Sequence, residues 1–335
     1  MSTGNQILKL PKTLYLESTN RCNLRCGGCV LYRNSQEPKR DLSLDEAVMI
    51  TDQLADLEKI FLHGIGEPLL NPELLDIIRR LKGRDVYVLF NSNATLLNDR
   101  MARALIQTGL DELRVSLDAA TAGGYQKIRG SDKFEQVLEN LRSFVLLQKR
   151  QRVVHPKLSL WFLGTRDNIA ELPGFVKLAA GIGIGEVYLQ RLVYFQDDVG
   201  YGLARDCKSL QDSHGGTLAL IEESRDLAVK LGIQFNASGS ARPGESLHGQ
   251  AAADMPWTRC YRPSTLMYIT ANGNVLPCCI APFATVDYAS IVLGNVFKQP
   301  LEEIWSGSGY TNFRKRHQSG APPQCCLGCG VRWSL

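Results

Sequence analysis

Six times within the first 235 residues, a short run rich in β-branched and aromatic residues is followed by a longer amphipathic run, with no hairpin signal between them. The strand-like runs cover 13–17, 59–62, 86–90, 112–118, 157–163 and 186–191. Helices are expected from Ser43, with Glu46 completing a capping box, from Asn71 with Pro72 in the first turn, over 98–109, and over 134–151, 168–180 and 217–231. Strands that alternate with helices in this way form a parallel sheet with crossover connections. Such sheets carry their chemistry at the carboxyl ends of the strands.

The first strand runs straight into Cys22-Asn23-Leu24-Arg25-Cys26-Gly27-Gly28-Cys29. Three thiolates are one fewer than a closed four-cysteine site uses. A cubane iron–sulfur cluster on them keeps one iron open to a small molecule. Zinc sites and buried free thiols are the plainer alternatives, though zinc sites favour Cys-x2-Cys pairs.

This spacing resembles the radical S-adenosylmethionine (SAM) superfamily. The resemblance implies a partial (β/α)6 TIM barrel over about residues 10–235, with SAM chelating the open iron. It also implies reductive cleavage of SAM to a 5′-deoxyadenosyl radical that abstracts a substrate hydrogen. Cys22, Cys26 and Cys29 are then the cluster ligands. In the family the residue before the third cysteine is aromatic; here it is Gly28, which leaves Val30 or Tyr32 as the expected apolar neighbour of the adenine.

Further stretches carry the same resemblance. His63-Gly64-Ile65-Gly66-Glu67-Pro68 is similar to the family's Gly-Gly-Glu-Pro loop, which makes Gly66 and Glu67 the expected contacts to the SAM amino group. Glycine permits a close backbone approach there. Asn91, Ser92 and Asn93 match a polar cluster near the SAM carboxylate, and Ser116 and Asp118 match a Ser-x-Asp ribose site. Arg166, Asn168 and Gln190 are further candidate polar contacts, and His63 is a candidate acid or base. Each alone also reads as a helix cap, a turn residue or a structural histidine. Cys207 lies in the polar stretch 194–213, expected to be a lid or substrate loop; it reads either as a hydrogen-atom donor or as a bystander thiol.

The cysteines also order the other end of the chain. Of ten, six lie at 22–29 and 325–329, two are adjacent at 278 and 279, and Cys260 precedes them. Ala271-Asn272-Gly273 sits between two strand-like runs, a hairpin signal. Cys260-x12-Gly273-x4-Cys278, followed by Cys326-x2-Cys329, resembles the SPASM/twitch auxiliary-cluster domain. That resemblance implies a second [4Fe–4S] cluster on Cys260, Cys278, Cys326 and Cys329, as in the one-cluster twitch enzymes of the 2-deoxy-scyllo-inosamine dehydrogenase type. Cys279 and Cys325 stand beside these ligands as alternatives, and a four-cysteine zinc site is the plainer reading. The expected division is a barrel over 1–236, a Gly/Ser/Ala/Pro-rich linker over 237–256 and a hairpin-and-helix auxiliary domain over 257–335.

A chain of 335 residues, 44% hydrophobic, buries a large core, and a net charge of +4 gives no nucleic-acid signature. No apolar run is long enough to span a bilayer, and no secretory signal is visible, so a cytoplasmic protein is expected. The favoured activity is oxidation or epimerisation of a polar small molecule, a sugar or aminocyclitol, with flavodoxin or ferredoxin as electron donor. Maturation of a ribosomal peptide is the second reading, disfavoured because only about twelve residues precede the first strand. A Cys-Cys-Leu-x-Cys tail also resembles that of arsenic-handling radical SAM enzymes, and a non-catalytic zinc or iron–sulfur protein is the remaining alternative.

Overall fold

The computed structural model describes residues 9–33, 37–192, 208–210, 216–238, 255–283, 285, 287–327 and 329. Seven strands follow one another in the chain: β1 (Thr13–Leu16), β2 (Lys59–Phe61), β3 (Tyr87–Ser92), β4 (Glu112–Ser116), β5 (Lys157–Gly164), β6 (Glu186–Arg191) and β7 (Gln234–Ala237). Each pairs in parallel with the next, and helices cross between them. This is the parallel sheet expected from the alternation and the partial TIM barrel that the resemblance implies. The seventh strand extends to Ala237, one residue into the expected linker, and residues 239–254 of that linker lie outside the described residues.

Period-two patterning separates the two faces of the sheet. On β4, Leu113 and Val115 are fully buried, while Arg114 and Ser116 line the central cleft. On β5, Leu160 and Phe162 are fully buried, and Phe162 meets Phe175 of the helix Leu172–Ile182 at 5.0 Å between ring centroids. Trp161 and Leu163 face the cleft instead. The outer face thus makes the core and the inner face makes a cavity.

Helix starts follow their side chains. Ser43 and Glu46 form both halves of the capping box on Leu44–Thr51, and Asn98 caps Asp99–Gln107. The third helix begins later than expected, at Leu74, with Pro72 ahead of it and Glu73 at the cap.

The sheet does not end at β1. Strand β8 (Leu266–Ile269) lies parallel to β1, with Thr13 opposite Leu266 and Leu16 opposite Ile269. Strands β9 (Asn274–Leu276) and β10 (Gly294–Asn295) continue it antiparallel, the first through the hairpin expected at Asn272-Gly273. The result is one ten-stranded sheet in the order β10-β9-β8-β1-β2-β3-β4-β5-β6-β7. The helices Leu301–Ser306 and Ser308–His317 pack on its tail through Trp305, Tyr310 and Phe313.

Candidate active site

The inner face of the barrel opens on a cleft of about 590 Å³. Cys22, Cys26 and Cys29 stand together on its wall. The loop that carries them is held from several sides. The Asn93 amide donates to Asn23 Oδ1 at 2.9 Å, and Asn23 Nδ2 donates to Thr95 Oγ1 at 2.8 Å. Gly130 ends the helix Ala122–Arg129 with φ +63°, and a Cβ there would stand 2.6 Å from the Arg25 carbonyl. Burial pushes the Cys29 thiol up to about 11 and raises that of Cys22. Sulfurs shielded in this way exist as thiolates only against a metal or a cation.

The cation at hand is Arg129. Its Nη1 lies 3.8 Å from Cys26 Sγ, and its Nη2 pairs with Asp118 Oδ2 at 2.5 Å. Asp118, at φ +63°, also accepts the Leu163 N–H at 2.8 Å. Asn168 supports that bend by donating to the Asp118 carbonyl at 3.0 Å. It therefore serves the backbone and does not line the cleft.

Glu67 is the centre of a second network. Its Oε1 accepts from Ser92 Oγ at 2.8 Å and its Oε2 from the Asn93 N–H at 2.7 Å. The carboxylate thereby ties the Gly66-Glu67 loop to the end of β3. Gly66 is required for a reason closer than any ligand: a Cβ would stand 2.2 Å from the Thr19 carbonyl oxygen. Asn91, Asn93, Ser116 and Gln190 line the cleft as expected.

Three expectations change, and a fourth lies outside the described residues. Arg166 is not among the cleft residues; its Nε donates to the Ser209 carbonyl at 2.8 Å. Val30 is 3% exposed in the core, and Tyr32 turns its hydroxyl to the Cys22 carbonyl at 2.8 Å, so the apolar wall near the cysteines is Leu24 and Ile128. His63 is held down to about 3 by burial and then by the Arg114 charge, which makes it a neutral imidazole and no acid at physiological pH. Its Nδ1 accepts the Asn91 N–H at 3.3 Å. Cys207 and most of the stretch 194–213 lie outside the described residues.

The cleft floor is a feature that sequence reasoning missed. Tyr15 stacks on Phe61 at 4.1 Å and Trp161 on Tyr188 at 4.1 Å, and Arg114 lies over the Trp161 ring at 4.6 Å. Period two was the available signal, because each of these residues alternates with buried apolar neighbours. Arg129 was missed because its helix was not placed.

The adjacent cysteines of the tail part company. Cys278 lines a separate pocket with Cys260, Cys325, Cys326 and Cys329. Cys279 lines the cleft together with Tyr15. Five cysteines therefore surround the tail pocket, and Cys325 remains an alternative to its neighbour.

Comparison with known proteins decides the domain content. The model of the radical SAM superfamily matches residues 16–171, and that of an iron–sulfur cluster-binding domain, SPASM, matches 260–330. The chain carries a radical SAM domain followed by a SPASM domain. Its radical SAM and SPASM domains imply a SAM-binding and an auxiliary [4Fe–4S] cluster. Among radical SAM relatives, a cofactor-modifying protein of the tungsten-containing aldehyde ferredoxin oxidoreductase from Pyrococcus furiosus is 24% identical over 96% of this chain and 88% of its own length. The PqqA peptide cyclase of Gluconobacter oxydans is 25% identical over 95% of this chain and 82% of its own length. Crystal structures of Streptococcus suis SuiB, with S-adenosylmethionine and with its precursor peptide SuiA, share the fold at TM-scores of 0.70 and 0.69 and 18% and 17% identity. Both superpositions cover 98% of this chain, and they span 73% and 72% of the SuiB chain.

The residues present fit the two groups. Three thiols suit a cluster with one open iron, and the cleft beside them has an orphaned buried acceptor, Asn91 Oδ1, and an orphaned buried donor, Arg129 Nε. An acceptor and a donor suit the amino and carboxylate ends of a methionine moiety. Among the described residues, no helix is long and apolar enough to cross a membrane.

Proposed function

We propose that this radical SAM enzyme modifies a peptide. The observation that carries the reading is the similarity to a peptide cyclase over 95% of the chain. The expectation of a sugar or aminocyclitol dehydrogenase or epimerase has no such support and gives way to it. Flavodoxin or ferredoxin remains the proposed electron donor.

In this reading Cys22, Cys26 and Cys29 hold the SAM-binding cluster, and Cys260, Cys278, Cys326 and Cys329 hold the auxiliary one. Bound together, the first cluster and SAM would supply radical chemistry at a substrate C–H bond. Arg129, fixed by Asp118, offers its donors to the methionine carboxylate. Asn91 offers its free acceptor to the amino group, and Ser116 and Gln190 face the nucleoside. Glu67 and Gly66 act on SAM through the loop they brace. Leu24 and Ile128 shield the cysteines from water, which protects a radical from quenching. The barrel over 1–236 and the auxiliary domain over 257–335 are the proposed functional units, the cleft lying between them.

The test uses anaerobically reconstituted holoenzyme with SAM, dithionite and precursor-type peptides beside sugars and aminocyclitols. A mass change in a peptide, with 5′-deoxyadenosine formed in step, is the expected result. Turnover of a sugar with every peptide inert would overturn the reading.

A further inference from the structure

Among the described residues three arginines line the cleft, and two of them are matched by carboxylates. Arg129 pairs with Asp118 at 2.5 Å, and Arg114 Nε pairs with Glu112 at 2.6 Å. Arg262 is different. It begins the short helix Arg262–Thr265, just ahead of β8, and lines both the cleft and the auxiliary pocket. Among the described residues, no carboxylate and no carbonyl accepts from its guanidinium. Cys279 and Tyr15 line the same cleft. The three residues meet where strand β1 adjoins the auxiliary hairpin, with Tyr15 on β1, Arg262 just ahead of β8 and Cys279 just after β9.

A guanidinium presents five donors in a planar fork, and in a half-enclosed wall those donors call for an anion. A carboxylate is the anion that matches the fork bidentately and that a peptide carries. The stacked pairs Tyr15–Phe61 and Trp161–Tyr188 offer apolar cover for the rest of the residue that bears it.

We propose that Arg262 anchors a carboxylate of the peptide substrate at the Tyr15–Cys279 corner of the cleft. The inference rests on the peptide reading above and narrows it: the residue held next to the reacting centre is acidic or is the chain terminus. Arg262 is thus a specificity-determining residue.

The experiment titrates reconstituted holoenzyme, loaded with SAM, with four probes: the blocked tripeptides Ac-Ala-Glu-Ala-NH2 and Ac-Ala-Gln-Ala-NH2, the free acid Ac-Ala-Ala-Ala-OH, and glutarate. Binding is followed by tryptophan fluorescence, with Trp161 in the floor as reporter, and the auxiliary cluster by its EPR spectrum and reduction potential. The expected result is binding of the Glu peptide or the free acid about 10-fold tighter than the Gln peptide. The stronger of the two distinguishes a side-chain from a terminal carboxylate. Arg262→Gln should erase the difference, and Arg262→Lys should keep part of it. Equal binding of the Glu, Gln and free-acid peptides by the unaltered enzyme, or failure of all four probes to bind, would overturn the proposal without needing a variant. So would an Arg262→Gln protein that shifts the auxiliary potential and keeps the carboxylate preference, because the guanidinium would then serve the cluster cysteines. Arg262-dependent binding of glutarate with no peptide bound would keep the carboxylate site and sink the peptide reading instead.

Discussion

The cleft and the tail pocket both gather cysteines, yet they are built on opposite plans. Among the described residues the cleft takes side chains from seven strands, β1 to β6 and β8, and beside the cysteines and aromatic rings it is lined by Arg129 and Arg114, each matched by a carboxylate, Asp118 and Glu112. The tail pocket is closed mainly by Trp257, Pro263, Ile280, Ala281 and Phe313, with Arg262 and His317 also in its wall, around five cysteines. Three cysteines on an open wall would leave a coordination position for exchange, whereas four in a mostly apolar shell would saturate a cluster and exclude ligands. In the proposed reading, bond chemistry belongs to the first site and electron transfer to the second.

The sharpest way to break this contrast is at the trio. Cys29→Ala should lower SAM cleavage by at least about 1000-fold while iron falls from about eight to about four per chain, the auxiliary cluster surviving. Iron and sulfide assays, with 5′-deoxyadenosine measured by chromatography, check both halves. Next comes the pair at the boundary. Cys278→Ala should lose the auxiliary iron and product formation but still cleave SAM in the absence of substrate; Cys279→Ala should retain about eight irons. If Cys279→Ala were the variant that loses iron, the division between the two sites would be drawn in the wrong place.

A smaller effect tests the matched charges. Asp118→Asn leaves Arg129 without an ionised partner in a buried position, which destabilises by a few kcal/mol and lets the guanidinium drift from Cys26. SAM affinity measured by calorimetry should weaken about 10- to 100-fold. The smallest effect lies at Glu17, which joins the sites. Its Oε1 accepts from the Ile65 N–H at 2.8 Å and its Oε2 from the Ala271 N–H at 3.1 Å, with Tyr268 and the charge of Glu37 nearby. Burial raises this carboxyl to about 7. A folded-state value above the unfolded one, about 4.3, means that its stabilising share is complete below that pH and is lost as pH climbs towards 7. The unfolding free energy, followed through the melting temperature, should therefore fall across pH 5 to 7 and level off above, by at most about 1.4 kcal/mol per pH unit. In Glu17→Gln that slope should flatten; an unchanged slope assigns the titration elsewhere.

What could be read from the sequence divides along physical lines. The alternation of strands and helices, the Ser43 cap and the Asn272-Gly273 hairpin are local signals, and the fold contains all three. Cysteine spacing is local as well, and it located both sulfur groups. The parallel partnership of β8 with β1 joins residues some 250 positions apart, and no local pattern encodes it. The same holds for the Arg129–Asp118 pair. Roles assigned from strand-end position alone were mixed: Asn91 and Gln190 reach the cleft, but Arg166 and Asn168 turn to backbone carbonyls.

That β8 lies alongside β1 has a practical consequence for anyone dissecting the protein. A fragment stopped at residue 238 would strip β1 of its neighbour, baring a row of N–H and C=O groups flanked by Leu14 and Leu16, both fully buried in the intact chain. Raw edges of that kind recruit further copies of themselves. The barrel and its sulfur-rich tail are therefore obligate companions, and loss of solubility, more than loss of an electron path, would be the first sign of their separation.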